Sequence, residues 1–111
     1  MGYIESGKEE GAKVHIGGVR HGQEGFFIKP TIFTDCHQGM KIVREEIFGP
    51  VAAIIKFKTE EEVIELANDT TYGLASNVFS ENGSRAIRVA HAIESGTVWV
   101  RYAVFDLVVA V

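Results

Sequence analysis

The apolar positions change period along the chain, and the changes mark out elements. Over the first eleven residues Tyr3, Ile4 and Gly7 share one side of a helix, and Gly11 is a natural stop for it. Lys13-Val14-His15-Ile16 alternates as a short strand does, until Gly17-Gly18 breaks it ahead of a polar loop that runs to Gly25. Gly25 to Phe33 reads as a second extended segment. Pro30 has no N–H to give to a ladder, so this segment is expected at a sheet edge or with irregular backbone.

From Val51 the pattern becomes regular. Val51-Ala52-Ala53-Ile54-Ile55-Lys56-Phe57 is the nearly continuous apolar run of a parallel strand buried on both faces. Thr59 and Glu62 then have the spacing of a capping box, in which a hydroxyl accepts from a first-turn amide and a carboxylate reaches back. Val63, Leu66 and Ala67 give the helix that follows an apolar face, and Asn68-Asp69-Thr70 ends it. A strand over Leu74 to Phe79, a turn at Ser80-Glu81-Asn82-Gly83 and a helix from Ser84 to Ser95 come next. Ala86, Val89, Ala90 and Ile93 line the inner face of that helix, and Gly96 suits the residue just past its end. Thr97 to Val100 is a further strand. Strand, helix, strand, helix, strand is the order of an α/β fold, here a partial parallel sheet with right-handed crossover helices.

Val98 to Val111 closes this order with a mostly apolar stretch that has no further element to cover it. A parallel sheet left open to water is disfavoured, so the expectation is that both ends are cut from a longer chain and that this tail lowers solubility. The stretch falls short of the roughly 20 apolar residues of a membrane helix and is interrupted by Arg101 and Asp106, which argues for core and against a membrane partner.

Composition narrows the function classes. The chain has 111 residues, 46% of them hydrophobic, which suits one domain at roughly 100–150 residues each. A net charge of -4, with Lys and Arg scattered, argues against nucleic acid as a partner. Cys36 is the one cysteine, so no internal disulfide forms, and a reduced, cytoplasmic or organelle setting fits. The first residues lack the basic and apolar regions of a secretory signal, and the sequons at Asn68 and Asn82 are discounted on that ground. His15, His21, His37 and His91 lack metal-ligand spacing, and neither a G-x-G-x-x-G nor a P-loop pattern occurs.

The segment with most chemistry in it is Arg44-Glu45-Glu46-Ile47-Phe48-Gly49-Pro50-Val51, two acids and an aromatic before a Gly-Pro turn. Adjacent acids read by themselves as a solvated pair. The alternative is a loop carboxylate that accepts both hydroxyls of a ribose, with a nearby Phe walling an aromatic ring.

This segment resembles the E-E-x-F-G-P-V signature of the aldehyde dehydrogenase superfamily. Gly25 to Phe33 is similar to the family's G-x-(F/Y)-x-x-P-T segment, Asn68 to Ala75 to its A-N-x-x-x-Y-G-L-A segment, and Gly96 to Val100 to its G-T-V-W-V strand. The four come in the family's order and cover about Tyr3 to Val100. The resemblance implies that residues 1–100 are part of the C-terminal half of the family's catalytic domain and that 101–111 are a divergent apolar tail. It implies an enzyme that oxidises an aldehyde substrate to a carboxylic acid with NAD or NADP. Glu46 would then bind the hydroxyls of the nicotinamide ribose, and Phe48 would lie against or position the nicotinamide ring. Glu45 keeps its solvated reading. Gly49 and Pro50 would fix the turn.

The family's chemistry uses a cysteine thiolate, hydride transfer and a glutamate that activates water. In the family both residues lie upstream of this stretch, and the surroundings of Cys36 (Thr34-Asp35-Cys36-His37-Gln38) do not resemble the nucleophile motif. Cys36 is therefore expected to be structural, pointing away from His37. No catalytic residue and no metal ligand is assigned, and the chain alone is expected to be inactive. Past Val100 the family continues with an Asn-containing turn and P-F-G-G, whereas this chain has Arg101 to Val111, which leaves the family's homo-oligomer strand without support here. The competing expectation is a non-catalytic protein of the same origin that binds or pairs with a full-length subunit.

Overall fold

The computed structural model describes all 111 residues. In chain order they form α1 (Gly2–Glu9), β1 (Lys13–Ile16), β2 (Thr31–Thr34), α2 (Lys41–Arg44), β3 (Val51–Ala53), α3 (Glu60–Asn68), β4 (Ala75–Ser80), α4 (Gly83–Ala92), β5 (Thr97–Tyr102) and β6 (Val108–Ala110). The class is mixed α/β, with parallel pairs in both sheets. The chain divides into two compact units, Met1–Lys56 and Phe57–Val111.

In the first unit the sheet order is β1-β2-β3, with β1 antiparallel and β3 parallel to β2. Ile4 and Gly7 of α1 face a core of Ala12, Phe33, Cys36, Met40 and Ile42. A Cβ on Gly7 would stand 3.0 Å from the Phe33 ring and from Ile42 Cδ1, so the missing side chain is what lets α1 lie this close. Gly17 has φ +74, and a Cβ there would meet the Pro30 carbonyl oxygen at 2.1 Å. That approach aligns the two sides of a hairpin in which the His21 N–H donates to the Phe27 carbonyl and the Lys29 N–H to that of Val19.

The segment from Gly25 to Phe33 is thus only partly a strand. Its ladder begins at Thr31, one residue past Pro30, and β2 takes the centre of the sheet, because the proline lies outside the hydrogen-bonded stretch. The run from Val51 to Phe57 also departs from expectation. β3 covers three residues at the sheet edge, and Ala52 and Ala53 are exposed. Its partner β2 leaves the extended path at Asp35, where φ is 55, so no straight strand continues alongside.

In the second unit β4 is central in the order β5-β4-β6. It is parallel to β5, from Ala75 opposite Thr97 to Ser80 opposite Tyr102, and antiparallel to β6. Unit β4–α4–β5 is the expected parallel crossover. β3 and β4, however, belong to different sheets, so strands β3 to β5 do not form one continuous parallel sheet. The core gathers Val63, Ala67, Val78, Ala86, Val89, Ile93 and Leu107.

Local capping follows the sequence closely. Thr59 Oγ1 accepts from the Glu62 N–H at 3.1 Å, while the Glu62 carboxylate receives the Lys58 N–H, one residue before the cap. Asn82 caps α4 by accepting from the Arg85 N–H. α4 stops at Ala92 in extended backbone, so Gly96 is not the residue just past its end. It lies instead where its N–H reaches the Gly73 carbonyl at 2.8 Å and where a Cβ would stand 3.3 Å from the Leu74 carbonyl oxygen.

The apolar tail is covered only in part, for Tyr102, Val104, Phe105 and Val111 stay exposed. Leu107 is buried, β6 pairs with β4, and the Ser80 hydroxyl donates to the Asp106 carbonyl at 2.6 Å. Asp106 itself pairs with Arg85.

Candidate functional site

Glu46 and Phe48 stand on the loop of residues 45–50 between α2 and β3. α2 has four residues and no side-chain cap from Met40, too little to be stable alone. α1 supports it at both ends. Glu10 Oε2 accepts from the Lys41 N–H at 2.8 Å, and the Tyr3 hydroxyl donates to Glu45 Oε2 at 2.8 Å. The Lys41 ammonium lies 5.4 Å from the centroid of the Tyr3 ring, a cation–π distance.

Past Glu45 the backbone is extended, at φ -115 and ψ 145. Ile47 is half-buried against the core, and Glu46 and Phe48 on either side of it are exposed. Ile47 is the one anchor of the stretch from Arg44 to Pro50, whose other residues are all exposed. The Gly49 N–H donates to the Ile47 carbonyl and the Val51 N–H to that of Gly49, a tight double turn, and the Thr31 N–H holds the Pro50 carbonyl at 2.8 Å. The loop is fastened to β2 at one end and to α1 at the other.

Phe48 is 92% exposed, its ring presented to solvent two residues from a carboxylate that accepts hydrogen bonds only. An open aromatic face beside a pair of acceptor oxygens suits a ligand that brings hydroxyl donors and a flat ring: hydroxyls donate to the acid and the ring lies on the Phe. The residues present therefore fit the nicotinamide half of a dinucleotide. Glu45 is exposed, as its sequence reading expects, and it also accepts from the Tyr3 hydroxyl. Nothing local signals this, because the partners are 42 residues apart.

Cys36 and His37 are not brought together. Cys36 is buried in the core, and burial pushes its thiol pKa up, with the charge of Asp35 adding to the rise. His37 is exposed, and its Nδ1 accepts from the Gly39 N–H. No group of three or more His, Cys, Asp or Glu side chains is placed to hold a metal ion. No helix is long and apolar enough to cross a membrane.

Two of the recurring segments meet in the second unit. Gly73-Leu74 supplies the carbonyls that receive the N–H groups of Gly96 and Thr97, which sets the start of the β4–β5 pair. Asn68 anchors the same corner, donating to the Ala92 carbonyl and accepting from the Glu94 N–H, both at 2.9 Å.

Residues 1–108 match the family model described as "Aldehyde dehydrogenase family". An aldehyde dehydrogenase of Agaricus bisporus is 63% identical over 103 residues, which are 93% of this chain and 21% of that protein. "Aldehyde dehydrogenase, cytosolic 1" of Mus musculus is 53% identical over 100 residues, 90% of this chain and 20% of that protein. The NAD+ complex of an aldehyde dehydrogenase from Bacillus cereus superposes with a TM-score of 0.85 at 48% identity, over 95% of this chain and 22% of that one. The chain thus spans about a fifth of the length of the relatives it matches.

Proposed function

The chain belongs to the aldehyde dehydrogenase family, and we propose that it supplies the nicotinamide side of the cofactor site in the NAD(P)-dependent oxidation of an aldehyde to a carboxylic acid. The observation that carries this reading is the loop geometry: Glu46 and Phe48 exposed together on either side of the anchored Ile47. Glu46 would accept hydrogen bonds from the ribose hydroxyls, and Phe48 would bear on the nicotinamide face. The bound dinucleotide supplies the hydride acceptor. Residues 1–100 are part of the catalytic domain in this reading, and 101–111 form an apolar tail of which 101–108 lie within the stretch that matches the family. By likeness to the relative named "Aldehyde dehydrogenase, cytosolic 1", the working protein is cytosolic in this reading.

Neither a nucleophile nor a general base is assigned among these 111 residues. Cys36, the one thiol, is buried and holds its proton more tightly than an ordinary cysteine, the opposite of an activated nucleophile. The 111-residue chain is therefore expected to form no reduced cofactor from an aldehyde and NAD(P)+. Absorbance in the reduced-cofactor band checks this, and turnover that disappears in Cys36→Ala would overturn the assignment. The cofactor reading has its own test. Nicotinamide mononucleotide added to the chain should shift the backbone NMR signals of residues 45–49 saturably, and Glu46→Gln should abolish the shifts. Signals that stay in place in the parent chain would refute it.

A further inference from the structure

We propose that Tyr3 is a positioning residue for this cofactor loop: its hydroxyl holds the exposed Glu45 toward α1 and leaves Glu46 as the acid of the pair without such a tie. The proposal rests on the nicotinamide reading of Glu46 and Phe48.

Two adjacent glutamates on an exposed loop are chemically equivalent, and a ribose could be met by either. The structure breaks the equivalence. The Tyr3 hydroxyl donates to Glu45 Oε2 at 2.8 Å, where the chain has just left α2 and is extended. Successive side chains in extended backbone point to opposite sides, so fixing Glu45 toward α1 sends Glu46 outward. Ile47 returns to the core and Phe48 goes outward again.

Tyr3 is held in turn. It sits on α1 beside Ile4, which is buried in the core, and the Lys41 ammonium covers its ring at 5.4 Å. Lys41 begins α2, and its N–H is bound by Glu10 just past the end of α1. α1 thus braces a four-residue helix at its first amide and just past its last residue, immediately before the loop. A charge-assisted bond of the Tyr3–Glu45 kind is stronger than a neutral one, and here it orders a segment that short-range structure alone would leave loose.

The test compares Tyr3→Phe, Glu45→Gln, Glu45→Ala and Glu46→Gln in the 111-residue chain. Three measurements are made: nicotinamide mononucleotide titration by NMR, heteronuclear relaxation of residues 45–49, and thermal unfolding. Tyr3→Phe and Glu45→Ala should each weaken mononucleotide binding about three- to tenfold, the range expected of one hydrogen bond. Both should loosen residues 45–49 on the nanosecond scale with the unfolding temperature nearly unchanged. The double variant Tyr3→Phe/Glu45→Ala should be no worse than either single one, because both remove the same bond. Glu45→Gln keeps an acceptor oxygen but loses the charge that strengthens the bond, and its binding should fall between that of the parent chain and that of Glu45→Ala. Parent-like binding and loop order in Tyr3→Phe, with binding lost in Glu46→Gln, would overturn this proposal and leave the site reading intact. Absence of any mononucleotide shift in the parent chain would overturn the site reading, and this proposal with it.

Discussion

Glu60 opens α3, and its carboxylate gathers the guanidinium groups of two residues on α4. Arg88 reaches it through Nε at 2.6 Å and through its terminal nitrogen at 2.8 Å, and Arg85 through Nε at 3.0 Å. These bonds, that of Arg88 foremost, hold the Glu60 carboxyl below its ordinary pKa, while partial desolvation works against them. A carboxylate with a depressed pKa in the folded state stabilises the fold above its unfolded pKa, about 4.3, and that contribution is lost as pH falls through the folded value. The urea midpoint of the parent chain should therefore fall more steeply below about pH 5 than that of Glu60→Gln. Parallel pH profiles for the two would show that the cluster contributes nothing. At this scale the sequence is informative only where partners are near in the chain. The caps at Thr59 and Asn82 are three residues from the amides they serve and could be read directly. The roles of Asn68, Glu60 and Glu45 depend on partners 24 to 42 residues away, and no spacing rule reaches that far.

The elements were legible by type and less so by neighbourhood. α1, β1, α3, β4, α4 and β5 lie within a few residues of where their periodicity and punctuation place them. Errors arose where an apolar run was read as an instruction about sheet position. The residues from Val51 are apolar enough for a central strand, yet β3 is a short edge strand that pairs with β2 alone, and β2 turns at Asp35. β6 was invisible, since a second run of apolar residues says nothing about folding back on β4. The glycines that allow two close approaches give the prediction at this scale. Gly17→Ala adds the strain of a left-handed residue, about 1–2 kcal/mol, and drives a Cβ into the Pro30 carbonyl. Gly7→Ala gains about 1 kcal/mol of helix propensity but presses on Phe33 and Ile42, an overpacking that costs about 1–3 kcal/mol. Urea unfolding should show a loss of at least about 2 kcal/mol for Gly17→Ala and a smaller net loss for Gly7→Ala. A midpoint for Gly17→Ala at or above that of the parent would contradict the hairpin geometry.

For the molecule as a whole, what stays uncovered matters as much as what is packed. Phe26, Phe27 and Phe48 are exposed in the first unit, and Trp99, Val100, Tyr102, Val104 and Phe105 in the second. Exposed aromatic and apolar side chains in this number favour association, so the 111-residue polypeptide should self-associate as its concentration rises. Size-exclusion chromatography over a concentration series checks this, and a sharp monomer peak at the highest concentration would contradict it. Part of that surface is the tail that the sequence singles out, which folds onto β4 only through Leu107 and β6. By itself the sequence determined the family, the α/β class, the local caps and the residues of the loop from Glu45 to Pro50, because each of these is written in short stretches whose meaning does not depend on distant chain. Only the tertiary structure decided which strands share a sheet, that Cys36 is core, and that Glu45 turns to Tyr3 while Glu46 and Phe48 face solvent. Those outcomes depend on pairings between residues far apart in sequence, where burial and hydrogen-bond geometry choose among partners that local pattern leaves equivalent.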